Sequence, residues 1–386
     1  MNKSSHFLTS ADTTAQEVIV TSSDNYFAAL INDIDQAQHT IDLEVFIFSS
    51  DFLAKKIAEH LAQAAQRGVN IRLLVDGMGA LFYNSDVATI LQQPNIHIRI
   101  YHPLPWRTWQ WKYATKFLEK KSFAKFLHFT ARINWRNHRK VTRIDQHIAW
   151  IGSANITSCH LSQKQGGESW RDTAIKLTNI DFRDLTIAFE AEFYGQHYKR
   201  LFHQVQYNSI FLLNNTRQRR LRIHRNVLLY IMRATQRIWI TNAYFIPGEH
   251  LLRGLCEAAW SGIDVRILLT RDNNHAFMGW ATTTFYEKLL KCGVHIYEYE
   301  PSMLHAKTLI IDDWITVGST NLNSRSIFHD FEIDVVLNTA TAKRAIENQF
   351  LTDLAKSQRV RIKELKYIGW WRRCLGHIIL LVRHWI

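Results

Sequence analysis

The pattern of apolar and polar positions divides the chain into two series of the same elements. In the first, IDLEVFIF (41–48) is a continuous β-rich run. It leads into SDFLAKKIAEHLAQAAQRG (50–68), whose apolar residues recur at helical spacing. Ser50 or Asp51 offers an N-cap, and Gly68 ends the helix. VNIRLLVD (69–76) is a second run of strand length, so the stretch predicts a β-α-β unit. The stretch ATQRIWITNAYFIPGEHLLRGLCEAAWSGIDVRILLTRD (234–272) repeats that order, with Gly262 in the place of Gly68. RGVNIRLL and SGIDVRILL are near-copies. A repeat of about half the chain marks a duplicated domain and not a solenoid. The connection is expected within 198–226, where NNTRQRR (214–220) reads as a polar, basic loop. That gives domains 1–210 and 211–386.

The duplication carries chemistry. The first half contains NHRKVTRIDQHIAWIGSAN, with His138, Lys140 and Asp145 in the pattern H-x-K-x-x-x-x-D. Gly152, Ser153 and Asn155 follow as G-S-x-N. The second half contains LHAKTLIIDDWITVGSTN, in which His305, Lys307, Asp312, Gly318, Ser319 and Asn321 repeat all six positions. Residues two apart on a β-rich segment share one face, so each hairpin presents an imidazole and an ammonium together. The returning strand adds Ser153 and Asn155, or Ser319 and Asn321, as donors to a substrate phosphate. Two such hairpins around one cavity suit a phosphate diester. Lysines and carboxamides hold the non-bridging oxygens. One histidine attacks phosphorus and the other serves the alcohols as acid and base. Asp145 and Asp312 belong to the catalytic motifs, but are expected to fix lysine or hairpin geometry and not to touch substrate. An attacking histidine needs a carboxylate on its far nitrogen. Asp172 in SWRDTAIKL and Glu332 in DFEIDVV lie at similar offsets downstream of their histidines. His147, His160 and His329 are expected at the surface.

Composition narrows the partner. A formal charge of +13 on 386 residues favours an anionic one: nucleic acid, a membrane surface or a phosphorylated substrate. The four cysteines are scattered, without zinc spacing, and neither a metal nor a cofactor is expected. No stretch reaches the roughly 18 apolar residues that span a bilayer. Any membrane contact is therefore expected to be peripheral. Residues 106–136, WRTWQWKYATKFLEKKSFAKFLHFTARINWR, interleave aromatics with Lys and Arg, and Glu119 is their one acid. They predict a basic amphipathic helix for an anionic interface. The C-terminal YIGWWRRCLGHIILLVRHWI repeats the theme, its alternative role being a docking helix on the second domain.

The doubled motif resembles the phospholipase D superfamily, and within it the bacterial cardiolipin synthases of the short type without N-terminal transmembrane helices. Further support comes from W-R-D-T at 170–173, N-A-Y-F-I-P at 242–247 and G-S-T-N-L-x-S-R-S at 318–326. The likeness covers roughly residues 20–350. It implies an α/β fold in which two mixed sheets flanked by helices pack about a pseudo-twofold axis. It implies phosphatidyl transfer to phosphatidylglycerol through a phosphohistidine, with both histidines essential and His138 the nucleophile. Phospholipids are the implied substrates, phosphatidylglycerol with or without phosphatidylethanolamine, at the cytoplasmic face of a bacterial inner membrane. The alternatives are a phosphodiesterase on phospholipid or nucleic acid, and a non-catalytic anionic-lipid binder. Two intact motifs and the amphipathic segments argue for lipid over nucleic acid, and the intact pair of histidines argues against a mere binder, while hydrolysis of phospholipid stays open. The chain departs from the family pattern in three places. Its second hairpin turn is one residue shorter, Asn323 replaces an Asp, and His329-Asp330-Phe331 precedes Glu332.

Overall fold

The computed structural model describes residues 15–82, 85–114, 135–195, 209–367 and 369–381. The first half comprises β1 (Gln16–Val20), α1 (Ser23–Gln36), β2 (Thr40–Phe48), α2 (Phe52–Gln66), β3 (Asn70–Ala80), α3 (Asp86–Ile90), β4 (Ile96–Tyr101), β5 (Val141–Ile144), β6 (Ile148–Gly152), β7 (Ala174–Thr178) and α4 (Arg183–Tyr194). The second comprises β8 (Phe211–Leu213), α5 (Arg217–Arg233), β9 (Arg237–Asn242), α6 (Glu249–Trp260), β10 (Asp264–Thr270), α7 (Ala276–Thr283), α8 (Tyr286–Lys291), β11 (His295–Tyr299), β12 (Thr308–Ile311), β13 (Trp314–Gly318), α9 (Ser324–Phe328) and β14 (Ile333–Val336). α10 (Ala340–Ala355), β15 (Ser357–Arg359) and α11 (Trp370–Leu381) follow.

The strand orders are β1-β7-β6-β5-β2-β3-β4 and β15-β11-β10-β9-β12-β13-β14-β8. Both sheets join a parallel trio, β2-β3-β4 or β9-β10-β11, to an antiparallel trio, β5-β6-β7 or β12-β13-β14. This is the expected duplicated α/β architecture with two mixed sheets. The alternation along β5 and β6 shows how the sheets meet. Val141, Ala149 and Ile151 join a core shared with Ile310, Ile315 and Val317 of the other half. Ile144 and Trp150 face the opposite way, onto the core under α1 and α2. Residues from α5 and α6 cover the outer face of the second sheet. Each sheet is thus buried on both faces, which is why the parallel strands read as unbroken apolar runs.

The helix signals hold at α2, where the Asp51 side chain accepts from the Ala54 amide and Gly68 takes a φ of +98°. NNTRQRR is a correction. Only its first residues form a loop, because Thr216 caps the helix from Arg217, its hydroxyl accepting from the Arg219 amide at 3.2 Å. The arginine run hid an apolar side, Val227, Leu228 and Ile231, that packs into the second core. The first hairpin turns through three residues between Ile144 and Ile148, the second through two between Ile311 and Trp314. That is the tighter second turn expected from the one-residue deletion. The helix expected in 112–129 lies almost wholly outside the described residues; within them, Thr108–Tyr113 form a short 3-10 turn and Trp106 is exposed.

Candidate active site

The sequence surrounding each histidine is locked before the histidine itself. Asn137 donates to Glu44 at 2.6 Å, its amide donates to Asp76 at 2.9 Å, and Arg139 pairs with Glu44 at 3.1 Å, all buried. The extended lead-in then crosses to the other half. The His138 amide donates to the Phe331 carbonyl at 2.9 Å, and the His305 amide to the Arg171 carbonyl at 2.8 Å. β5 and β12 begin only after the lysines, at Val141 and Thr308, so the catalytic pairs lie on extended chain leading into the strands. Close approach of the neighbouring strand requires glycine at 152 and 318: a Cβ at Gly152 would lie 2.7 Å from the Thr173 carbonyl oxygen, and one at Gly318 would collide with that of Ile333.

The crossing exchanges the acids. The Nδ1 of His138 bonds Glu332 at 3.0 Å, and that of His305 bonds Asp172 at 2.8 Å. Each histidine is therefore oriented by the carboxylate of the opposite half, not by the one downstream in its own half. Offsets along the chain cannot reveal this, because the parallel bridges Asn137–Phe331 and Arg171–Leu304 bring the halves together only in the fold. With Nδ1 committed, Nε2 carries the lone pair available for chemistry. His138, Lys140, His305 and Lys307 are all buried. Burial, with Lys140 or Lys307 beside each ring, holds both imidazoles well below their ordinary range and so neutral. Burial also pushes Lys140 down to about 7 and Lys307 well down. In this state each Nζ donates to the carbonyl of its own histidine, Lys140 at 2.6 Å.

One expected role changes: the sequence predicts Ser153 and Ser319 against substrate phosphate. Instead Ser153 donates to Asp172 at 2.8 Å and Ser319 to Glu332 at 2.6 Å, both fully buried behind the acids. Asn155 accepts from the Ile47 amide at 3.1 Å through its oxygen, which leaves its NH2 group for the site. Asn321 is buried too, and its carboxamide oxygen lacks a hydrogen-bond partner among the described residues. Asp145 and Asp312 are far from the reaction. They occupy the hairpin turns with φ near +50°, five residues (about 17 Å of extended chain) beyond the lysines. Asp145 accepts from the amides of Gln38, His39 and Thr40 at 2.7–2.8 Å, and Asp312 from those of Thr235, Gln236 and Arg237 at 2.8–2.9 Å. Each thus pins the entry to the neighbouring parallel strand.

A prediction follows for these turns. Asp145→Ala or Asp312→Ala should destabilise the fold by about 1–3 kcal/mol, since three amides lose a charged acceptor. Turnover per folded molecule should stay within about threefold; thermal unfolding and kcat measured together decide it. Burial opposes the charge, but the backbone donors hold both carboxyls below their ordinary range. Their contribution is therefore present above about pH 4 and lost as pH falls through the folded values.

His160 also overturns an expectation. It is buried, not exposed, and its Nδ1 lies 2.6 Å from Asp172. His147 is exposed and His329 half-buried. His160, Asp172 and His305 are the one set among the described residues with the makeup of a metal site, their ligand atoms within 4.8 Å of one another. Asp172 already accepts both Nδ1 protons, so the set as it stands is a hydrogen-bonded chain. Of the departures from the family pattern, Asn323 caps α9 by accepting from the Ser326 amide at 2.8 Å, and Asp330 is buried against Arg325.

Comparison with known proteins adds the following. Residues 30–166 and 227–354 match the family described as cardiolipin synthase, PLD-like domain. The cardiolipin synthase of Clostridium perfringens strain SM101 is 30% identical over 365 residues, covering 89% of this chain and 71% of that protein. Cardiolipin synthase A of Serratia proteamaculans is 28% identical over 380 residues, covering 94% and 73%. Among solved structures, the phosphatidylserine synthase of Haemophilus influenzae superposes with a TM-score of 0.68 at 14% identity, over 96% of this chain and 95% of that one.

Proposed function

Because the chain belongs to the cardiolipin synthase, PLD-like domain family, we propose that it transfers a phosphatidyl group from one phospholipid to phosphatidylglycerol. The observation that carries the reading is the pair of buried histidines, each with Nδ1 held by the opposite half's carboxylate and a lysine beside it. His138 Nε2 attacks the donor phosphorus. His305, neutral in the empty site, takes up a proton at Nε2 as the anionic diester binds; the phosphorus–oxygen bond to the leaving alcohol then breaks, and that oxygen takes this proton. The acceptor hydroxyl then returns a proton to His305 as its oxygen attacks phosphorus, and the phosphorus–nitrogen bond breaks. Asp172 and Glu332 support this assignment. His160 and His305 outweigh burial and keep Asp172 well below its ordinary range, whereas burial pushes Glu332 up to about 7. An imidazolium is better stabilised at His305, the acid, and a neutral ring at His138, the nucleophile. Lys140 and Lys307, both held below their ordinary range by burial, gain charge and bind the diester as it arrives. Asn155 and Asn321 face it with them.

The acceptor's headgroup has room beside the cleft. A cavity of about 490 Å³ opens past Ala243, lined also by Thr270, Asn273, Trp280 and Arg372. Tyr244, whose ring stands 6.3 Å from that of His305, follows Ala243 directly.

We place the cleft at a membrane surface, because the substrates are phospholipids, and propose the cytoplasmic face of a bacterial inner membrane as its setting. No helix among the described residues is long and apolar enough to cross a bilayer. α11 is apolar on two sides. Gly376, Ile379 and Leu380 pack toward α7, in a cluster that includes Tyr244. Leu375, Ile378 and Leu381, spaced three apart, are exposed, while Trp371 keeps an edge contact with Trp280 of α7. An unpaired apolar face on the wall of the cleft suits the interfacial zone of a bilayer. Leu375→Ser with Ile378→Ser should weaken binding to phosphatidylglycerol vesicles by about tenfold or more, since each buried aliphatic side chain is worth roughly 1.5–3 kcal/mol. Turnover of a water-soluble phosphodiester should be unchanged. Undiminished vesicle binding at physiological salt would shift the contact to residues 106–136.

The test of the reaction is incubation with labelled phosphatidylglycerol, with and without phosphatidylethanolamine, and separation of the products. Cardiolipin is the expected product. Phosphatidic acid alone would make the chain a hydrolase.

A further inference from the structure

Aligning the two halves at Gly152 and Gly318 sets His160 against Ser326, each the eighth residue beyond its glycine. The correspondence continues in space. His160 Nδ1 meets Asp172 Oδ2 at 2.6 Å, and Ser326 Oγ meets Glu332 Oε1 at 2.6 Å. The other oxygen of each acid accepts from the matching serine, Ser153 or Ser319. Both acids therefore receive three side-chain donors: a catalytic histidine, the serine of G-S-x-N, and the residue at the eighth position. Only the lengths differ. Asp172 is one methylene, about 1.5 Å, shorter than Glu332, and its partner His160 reaches one bond farther from Cβ than a serine hydroxyl does.

His160 is held as firmly as the acid it serves. The Asn155 amide donates to its Nε2 at 3.1 Å, which places the ring proton on Nδ1 and aims it at Asp172. Trp170 stands at 5.2 Å from His160 and 5.4 Å from His305, ring centre to ring centre, closing the space between them. His160 is 1% exposed and its ring centre lies 5.5 Å from that of His305. It is thus too deep to contact substrate.

We propose that His160 is a positioning residue for His305, acting through Asp172, and that His160 with Asp172 and Ser326 with Glu332 are two length-matched solutions of the same support. The inference rests on the phosphatidyl-transfer reading for its readout. An Asp with a Ser leaves a gap at Asp172. A Glu with a His overfills it. Either error lets the His305 ring turn away from the leaving oxygen, which lowers kcat and leaves donor binding intact.

The experiment compares His160→Ser, Asp172→Glu and the two combined, with kcat counted per site able to form phosphoenzyme, so that misfolded molecules do not enter. Each single change should lower kcat about 10- to 100-fold with KM within about threefold. The combined variant, which copies the Glu332–Ser326 pair, should recover at least about fivefold over either single change. His160→Asn, which keeps a donor toward Asp172, should fall less than His160→Ser. A His160→Ser enzyme with kcat within twofold of the parent would overturn the proposal. So would a combined variant no faster than the slower single one. Failure of the parent to transfer phosphatidyl groups would instead contradict the reaction assigned above, and is seen before any variant is made.

Discussion

His138→Ala and His305→Ala should each lower cardiolipin formation by at least about 10³-fold, and the double variant should be little worse than either. The reason is that the two rings share one reaction. Without His138 nothing attacks phosphorus. Without His305 the alkoxide of a lipid glycerol must leave unprotonated, which costs most of the acid-base contribution and blocks the return step as well. Burial strengthens the effect, since neither water nor an exposed side chain replaces a ring lost from a site whose four central residues are all buried. Product analysis at long incubation times checks it. A single variant retaining more than a few per cent of activity would show that one histidine is dispensable.

The second large effect concerns the exchange of acids. Asp172→Asn and Glu332→Gln should each lower lipid transfer by about 10²- to 10⁴-fold, because an amide cannot hold the same tautomer or stabilise an imidazolium. The two losses should differ in kind. With a soluble diester that carries a nitrophenol leaving group, which needs no proton, Asp172→Asn and His305→Ala should still form phosphoenzyme. Glu332→Gln and His138→Ala should not. That grouping joins residues of opposite halves. Had each acid served its own half's histidine, Asp172→Asn would behave like His138→Ala. Stopped-flow release of nitrophenol separates the two patterns.

How far the sequence was legible varies with the range of the interaction. The β-α-β units could be read because their signals are local: apolar runs, a capping Asp51 and a terminal Gly68. The six repeated motif positions were legible because duplication printed them twice. What escaped depends on tertiary contacts, the largest of them between the halves. The partnership of His138 with Glu332 spans 194 positions, and that of His305 with Asp172 spans 133. The shared place in G-S-x-N predicts Ser153 and Ser319 on the substrate with Asn155 and Asn321, but the strands end at Gly152 and Gly318 and the irregular chain beyond turns the serine hydroxyls onto the acids. Asp145 and Asp312 were legible as hairpin-fixing residues, since strand rise carries them to the far end of the hairpin, but their amide partners were not. His160 carries no local sign of burial, and its surface position was the expectation that the fold reverses. The signal that finds it is the internal alignment, which sets it against Ser326, a residue already inside a quoted motif. Arg217–Arg233 was misread at its start because arginines dominate the first turn, while the apolar side that buries the helix comes later.

The most direct measurement is to quench the reaction with labelled donor at short times and map the label to a residue. A label on His138, absent from His138→Ala and persisting on His138 in His305→Ala supplied with the nitrophenol diester, is the result expected. A label on His305, or no phosphoenzyme under single-turnover conditions, would contradict the account.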